Sequence, residues 1–147
     1  MTEALELAGG ETVLEIGTGS GYAAAILGEI AGQVFTVERI RSLAENAQQV
    51  LEKLNYDNVH VKIDDGTLGW PEKGPFDAIV VTASGPEVPQ SLKQQLKIGG
   101  RLVIPVGKTP DHQNLVRVRR NSETEYEEQF LVAVRFVPLI GEQGWQS

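Results

Sequence analysis

Short β-branched runs alternate with helical or turn-rich segments along most of this chain, and that alternation limits the fold more than any other feature. Thr12–Ile16, residues 34–37, Val59–Ile63, Phe76–Val81 and residues 102–106 read as five strands. Tyr22–Ile30, rich in Ala, Leu and Ile, reads as a helix closed by Gly32. Leu43, Ala47, Val50, Leu51 and Leu54 recur at helical spacing and leave Glu45, Gln48, Gln49 and Glu52 for water. Val88, Leu92 and Leu96 mark one face of a third helix, stopped by Gly99-Gly100. Strands joined through helices lie parallel, with helices covering both faces of the sheet. Phe76–Val81 is the most apolar run, as a central parallel strand requires.

Beyond residue 106 the pattern changes. Residues 115–120 and 130–136 are β-like, yet no helical pattern separates them from strand five or from each other. The links, residues 107–113 and the polar stretch 121–128, are short, and short links make antiparallel neighbours. The expected fold is therefore α/β: a doubly wound sheet of five parallel strands with an antiparallel meander added at one edge. A length of 147 residues suits one domain, so residues 1–147 are expected to form a single unit.

Composition removes several classes of function. Thirteen Lys and Arg against 20 Asp and Glu give a formal charge of −7, which repels phosphate backbones and argues against a nucleic-acid partner. Cysteine is absent, so neither a disulfide framework nor a thiolate metal site is available. His60 and His112 are isolated, and Asp64-Asp65 offers too few carboxylates for a hard cation, so no metal is expected. No apolar run approaches the ~18–20 residues that span a bilayer. The acidic start, Met1-Thr2-Glu3-Ala4-Leu5-Glu6-Leu7, is unlike a signal peptide. A cytoplasmic chain without a membrane partner is the expectation.

The chemistry concentrates in Leu14-Glu15-Ile16-Gly17-Thr18-Gly19-Ser20-Gly21-Tyr22, between strand one and its helix. Glycines there permit a sharp turn and close approach of backbone to a ligand, while the helix offers unpaired N–H groups. A dinucleotide fingerprint G-x-G-x-x-G/A would place a small residue where Tyr22 stands, which makes a nicotinamide dehydrogenase the weakest candidate. Glu15 beside the glycines would repel a pyrophosphate and suits a cation. S-adenosyl-L-methionine, with a sulfonium, an ammonium and no phosphate, fits that charge. Glu38 closes strand two, where a carboxylate accepts from both ribose hydroxyls. Asp65-Gly66 closes strand three: an acceptor for the adenine amino group, or simply a turn dipeptide.

Four segments and the tail together resemble the protein-L-isoaspartate O-methyltransferase family. They are Val13-Leu14-Glu15-Ile16-Gly17-Thr18-Gly19-Ser20-Gly21-Tyr22, Asp64-Asp65-Gly66-Thr67-Leu68-Gly69-Trp70-Pro71, Pro75-Phe76-Asp77-Ala78-Ile79-Val80-Val81-Thr82-Ala83 and Gly99-Gly100-Arg101-Leu102-Val103-Ile104-Pro105-Val106-Gly107, with Val134-Arg135-Phe136-Val137-Pro138-Leu139 as the tail. The glycine motif alone indicates only a class I methyltransferase of Rossmann-like fold. The Gly-Trp-Pro loop and the Phe-Val-Pro-Leu tail carry the family.

The resemblance implies S-adenosyl-L-methionine as methyl donor, S-adenosyl-L-homocysteine as product, and the free carboxylate of an L-isoaspartyl residue in a damaged protein as acceptor. By position it implies Glu15, Gly17, Thr18 and Gly19 along the cofactor, Glu38 with Arg39 flanking the ribose, and Asp65-Gly66 at the adenine. Thr82, Ala83 and Ser84 would face the reacting carboxylate. The family pattern also has a Ser/Thr-rich loop ending Ser-Gln-Pro, upstream of the helix that leads into strand one. Met1 to Leu7 aligns with that helix, so the sequence is N-terminally short of the family and the loop is not in it.

An acceptor carboxylate is ionised at neutral pH, its ordinary pKa being about 4, and needs no general base. The want of a His or Cys catalytic constellation is compatible with that chemistry. Two alternatives stay open: a cofactor-binding core without catalysis, and a class I methyltransferase with another acceptor. Trp70 reads equally as pocket wall or as packing. Arg117, Arg119 and Arg120, near Arg135, suit either an acidic substrate peptide or a solvated edge strand.

Overall fold

A computed structural model describes residues 1–146. Its elements are β1 (Thr12–Ile16), α1 (Tyr22–Ile30), β2 (Gln33–Glu38), α2 (Arg41–Lys53), β3 (Val59–Ile63), β4 (Phe76–Val81), α3 (Gln90–Gln94), β5 (Leu96–Thr109), β6 (His112–Arg120) and β7 (Tyr126–Val134). Short 3₁₀ turns cover Thr2–Leu5, Gly66–Leu68 and Pro71–Lys73. The seven strands lie in the order β3-β2-β1-β4-β5-β6-β7. Pairs among β3, β2, β1, β4 and β5 are parallel, while β5–β6 and β6–β7 are antiparallel. The expected fold, five parallel strands with an antiparallel meander at one edge, is the observed one.

Alternating side chains build two apolar layers on the sheet. Leu14, Ile16, Phe76, Ile79, Leu92, Leu102 and Ile104 form one, and Leu5, Val13, Leu27, Val34, Ala78 and Val103 the other. The single Leu5 of the N-terminal turn is fully buried in the second layer. Arg101 donates to the carbonyls of Leu5 at 2.6 Å and Glu6 at 3.0 Å, and Arg117 to that of Ala4 at 3.2 Å, so two strand arginines hold the turn in place.

Two element readings are corrected by the structure. On α2 the buried face is Ala44, Ala47 and Leu51, whereas Leu43, Val50 and Leu54 are exposed. Small residues win because the helix lies close to the glycine loop: a Cβ on Gly21 would stand 3.3 Å from that of Ala47. Leu96 begins β5 and belongs to no helix. The Gln95 carbonyl accepts from the Phe76 N–H at 2.8 Å, and its side chain bridges the Trp70 N–H and the Leu68 carbonyl at 2.9 Å each. Residue 95 is thus drawn to the sheet, and α3 is only five residues long.

The strand arginines serve the chain itself. Arg119 pairs with Glu6, and Arg120 donates to the carbonyls of Leu96 and Glu123 and stacks over Tyr126. Trp70 packs edge-on against Phe35, ring centres 5.3 Å apart, with His60 stacked on the same Phe35. Among the described residues, no helix is long and apolar enough to cross a membrane.

Candidate functional site

The neighbours of β1 are β2 on one side and β4 on the other, so the chain leaves β1 at the point where the strand order reverses. In open parallel sheets that reversal opens a crevice beyond the carboxyl ends of the strands. The glycine loop sits in it. The Gly17 N–H donates to the Val37 carbonyl at 2.8 Å, and the Thr82 N–H to that of Ile16 at 3.0 Å, which ties the loop to both flanking strands. Gly17, Gly19 and Gly21 have φ of 98°, 54° and 90°, a region in which side chains are strained. Gly17 is doubly constrained, since a Cβ there would collide with the Thr82 hydroxyl.

Glu38 ends β2 with its carboxylate held by the chain. Oε1 accepts from the Gly19 N–H at 2.9 Å, and Oε2 from the Ile40 N–H at 3.0 Å. Each oxygen keeps a lone pair, so the group is a fixed, bidentate acceptor. Glu38, Gly17, Gly19, Arg39, Gly66, Thr82 and Ala83 all line one cavity of about 430 Å³. Its outer wall is Val137, Pro138, Leu139 and Ile140, with Ile40 and Leu43 from the start of α2.

Four of the residues singled out from the sequence are not part of this lining. Thr18 and Glu15 form a buried chain: the Thr18 and Thr36 hydroxyls are 2.6 Å apart, and that of Thr36 donates to Glu15 Oε1 at 2.7 Å. Thr36 has one proton, so Thr18 is the donor to it. Glu15 Oε2 has no partner. Burial pushes the Glu15 carboxyl up to about 7; the Thr36 hydrogen bond opposes this and the charge of Glu38 adds to it.

Asp65 spends its carboxylate internally. Oδ1 accepts from the Thr67 N–H at 2.9 Å and the Thr67 hydroxyl at 2.7 Å, and Oδ2 from the Glu142 N–H at 2.9 Å. Ser84 is bound through its backbone to residues 137–139, donating to the Val137 carbonyl at 2.7 Å and accepting from the Leu139 N–H at 2.8 Å. It lines a second cavity of about 460 Å³ with Lys108, Gln113, Phe136 and Trp145; Pro138 and Ile140 are common to both cavities.

Sequence reasoning missed Ile40, Leu43 and residues 137–140 as pocket wall. The available signal was the apolar Phe-Val-Pro-Leu run at the end of the last β-like segment.

The residues present suit a nucleoside cofactor that carries positive charge. Glu38 offers two fixed acceptors, the glycine loop offers space that a Cβ would fill, and the unpartnered oxygen of Glu15 lies beside that loop. A doubly wound sheet in this order, with such a cavity at its reversal point, defines the class as a Rossmann-like methyltransferase fold. Within that class, the chain belongs to the protein-L-isoaspartate(D-aspartate) O-methyltransferase family, whose model matches residues 1–144.

A protein-L-isoaspartate O-methyltransferase of Geotalea uraniireducens is 62% identical over 145 residues, covering 99% of this chain and 66% of its own length. One from Rhodopseudomonas palustris is 60% identical over 147 residues, covering 100% of this chain and 67% of its own length. The chain thus spans about two thirds of the curated relatives it matches. Among solved structures, a protein-L-isoaspartate O-methyltransferase superposes with a TM-score of 0.90 at 33% identity, covering 97% of this chain and 46% of that one. A β-aspartate methyltransferase from Plasmodium falciparum, in complex with S-adenosyl-L-homocysteine, shares the fold with a TM-score of 0.75 at 24% identity, covering 95% of this chain and 70% of that one.

Proposed function

We propose that this chain binds S-adenosyl-L-methionine and transfers its methyl group to the free carboxylate of L-isoaspartyl residues in damaged proteins, a repair activity of the cytoplasm. The observation that carries the cofactor half is the Glu38 carboxylate, fixed by two backbone N–H groups in the lining of the glycine-loop cavity. Family membership carries the acceptor half. Residues 1–147 act as one cofactor-binding domain, and isoaspartyl proteins are its partners.

In this assignment Glu38, with Arg39 beside it, receives the ribose hydroxyls, and the backbone at Gly17, Thr18 and Gly19 faces the amino-acid portion. Gly66, in the cavity lining, would meet the adenine, and Asp65, whose carboxylate is bonded to Thr67 and Glu142, would act there through the turn that it holds. Glu15, unpartnered at Oε2, supplies negative potential beside the loop in its ionised form. When bound, the cofactor would supply an electrophilic sulfonium methyl, with S-adenosyl-L-homocysteine as the product of its transfer. Thr82 and Ala83, which line the cavity beyond β4, and Ser84 just past them, position the acceptor carboxylate. The acceptor carboxylate would already be ionised at neutral pH, so the chain's residues would orient it toward the methyl without having a proton to move. Catalysis then rests on orientation and exclusion of water, a contribution that reaches roughly 7–11 kcal/mol in favourable cases.

Calorimetric titration with S-adenosyl-L-homocysteine tests the cofactor half. The wild-type chain binds, and Glu38→Ala weakens binding by about tenfold or more through loss of two charge-assisted hydrogen bonds. Methyl transfer to an isoaspartyl peptide and not to its aspartyl twin tests the acceptor half. Equal transfer to both peptides would assign another acceptor, and binding without transfer would leave a nucleoside-binding core.

A further inference from the structure

The turn that places Gly66 in the pocket floor carries two side chains facing the other way. Asp65 and Thr67 flank Gly66, neither lines the cavity, and both are occupied by the chain's last segment. Asp65 Oδ2 accepts from the Glu142 N–H at 2.9 Å, and the Thr67 hydroxyl, while donating to Asp65 Oδ1, accepts from the Gln143 N–H at 3.1 Å. Gln143 is bound further to Ser91. Residues 139–145 close on themselves, the Trp145 N–H donating to the Leu139 carbonyl at 2.7 Å and the Gly141 N–H to that of Trp145 at 3.1 Å.

This segment is a strap with two anchors. Its near end is paired with the backbone of Ser84, beyond β4, and its far end with Asp65 and Thr67, beyond β3. Residues 137–140, which precede or border these anchors, are the outer wall of the pocket. The fit at the far anchor is close: a Cβ on Gly141 would overlap Asp65 Oδ1, and one on Gly144 would stand 3.2 Å from the Thr67 methyl and collide with the Leu139 carbonyl.

Resting on the nucleoside assignment above, we propose that Asp65 and Thr67 are positioning residues that clamp the strap and thereby set the width of the pocket between Gly66 and Ile140. They act on the ligand through the wall they hold. Floor and wall are hydrogen-bonded to each other through two neighbouring side chains, so a ligand between them meets a preformed slot. Loosening the clamp transfers the cost of ordering the strap to the binding step.

Three variants test it without touching the cavity lining. Thr67→Val keeps shape and removes the hydroxyl, Thr67→Ser keeps the hydroxyl, and Gly141→Ala lifts the strap from Asp65. In calorimetry well below the melting point, Thr67→Val and Gly141→Ala weaken S-adenosyl-L-homocysteine binding by about five- to tenfold, the loss of one or two net hydrogen bonds, and Thr67→Ser stays near wild type. Amide exchange in residues 139–145 rises in the first two only. A purely structural role would lower the melting point yet leave the dissociation constant of the folded chain unchanged, and that result overturns the clamp. Unchanged exchange in the strap overturns it too. A folded wild-type chain that fails to bind would instead sink the nucleoside assignment itself, and the clamp with it.

Discussion

Glu15 stands on β1 directly opposite Thr36 of β2, and one carboxylate oxygen has a hydroxyl partner while the other has none. Burial raises its folded pKa from the ordinary 4.5 to about 7, so the folded chain holds this proton more tightly than the unfolded chain does. The resulting stabilisation is complete below pH 4.5 and is lost as pH rises through about 7. Glu15→Gln has no proton to lose. In urea unfolding, wild type therefore weakens relative to Glu15→Gln between pH 5 and pH 8, by up to about 3 kcal/mol. Parallel pH profiles for the two proteins would show that Glu15 is solvated and ordinary. Glu38 differs because two backbone N–H groups fix its oxygens at the cavity, and its contribution is read in ligand affinity.

Element boundaries follow from competition between local pattern and tertiary capture. The apolar spacing on α2 marks a wide face, yet only Ala44, Ala47 and Leu51 turn inward, and the close approach of the helix to Gly21 leaves room for no more than an alanine at position 47. Ala47→Leu forces α2 away from the loop and costs about 1–3 kcal/mol in denaturant unfolding. Val50→Gln, on the exposed side, stays within about 0.5 kcal/mol of wild type. The reverse ranking would mean that the helix is rotated. Leu96 shows the same competition: its spacing from Val88 and Leu92 is helical, but hydrogen bonds from Phe76 and Trp70 to Gln95 bring the chain into β5 at Leu96, six residues ahead of the expected start at residue 102.

At the scale of the molecule, the pocket occupies the carboxyl ends of the parallel strands, and the N-terminal turn seals a face of the same sheet. Leu5 is fully buried there, under carbonyls held by Arg101 and Arg117. Leu5→Ala costs about 2–5 kcal/mol of global stability and lowers the urea midpoint. The affinity of the folded fraction for S-adenosyl-L-homocysteine is unchanged, because no residue of that turn lines the cavity. A fall in affinity parallel to the fall in stability would couple the two regions.

Signals carried by neighbouring residues were legible in the sequence. Alternation of strand and helix patterns, the short links after residue 106 and the G-x-G-x-G turn each depend on a few consecutive side chains, and they specified the parallel sheet, its antiparallel edge and the place of the pocket. The outcomes that tertiary structure decided are those in which residues far apart in the chain compete for one partner. Asp65 bonds the turn at residues 141–143, Arg117 and Arg119 bond the N-terminal turn, and residues 137–140 line the same cavity as Gly66. A carboxylate or guanidinium looks the same in sequence whether it faces solvent, a ligand or a distant backbone, because hydrogen-bond partners are set by packing and not by chain order.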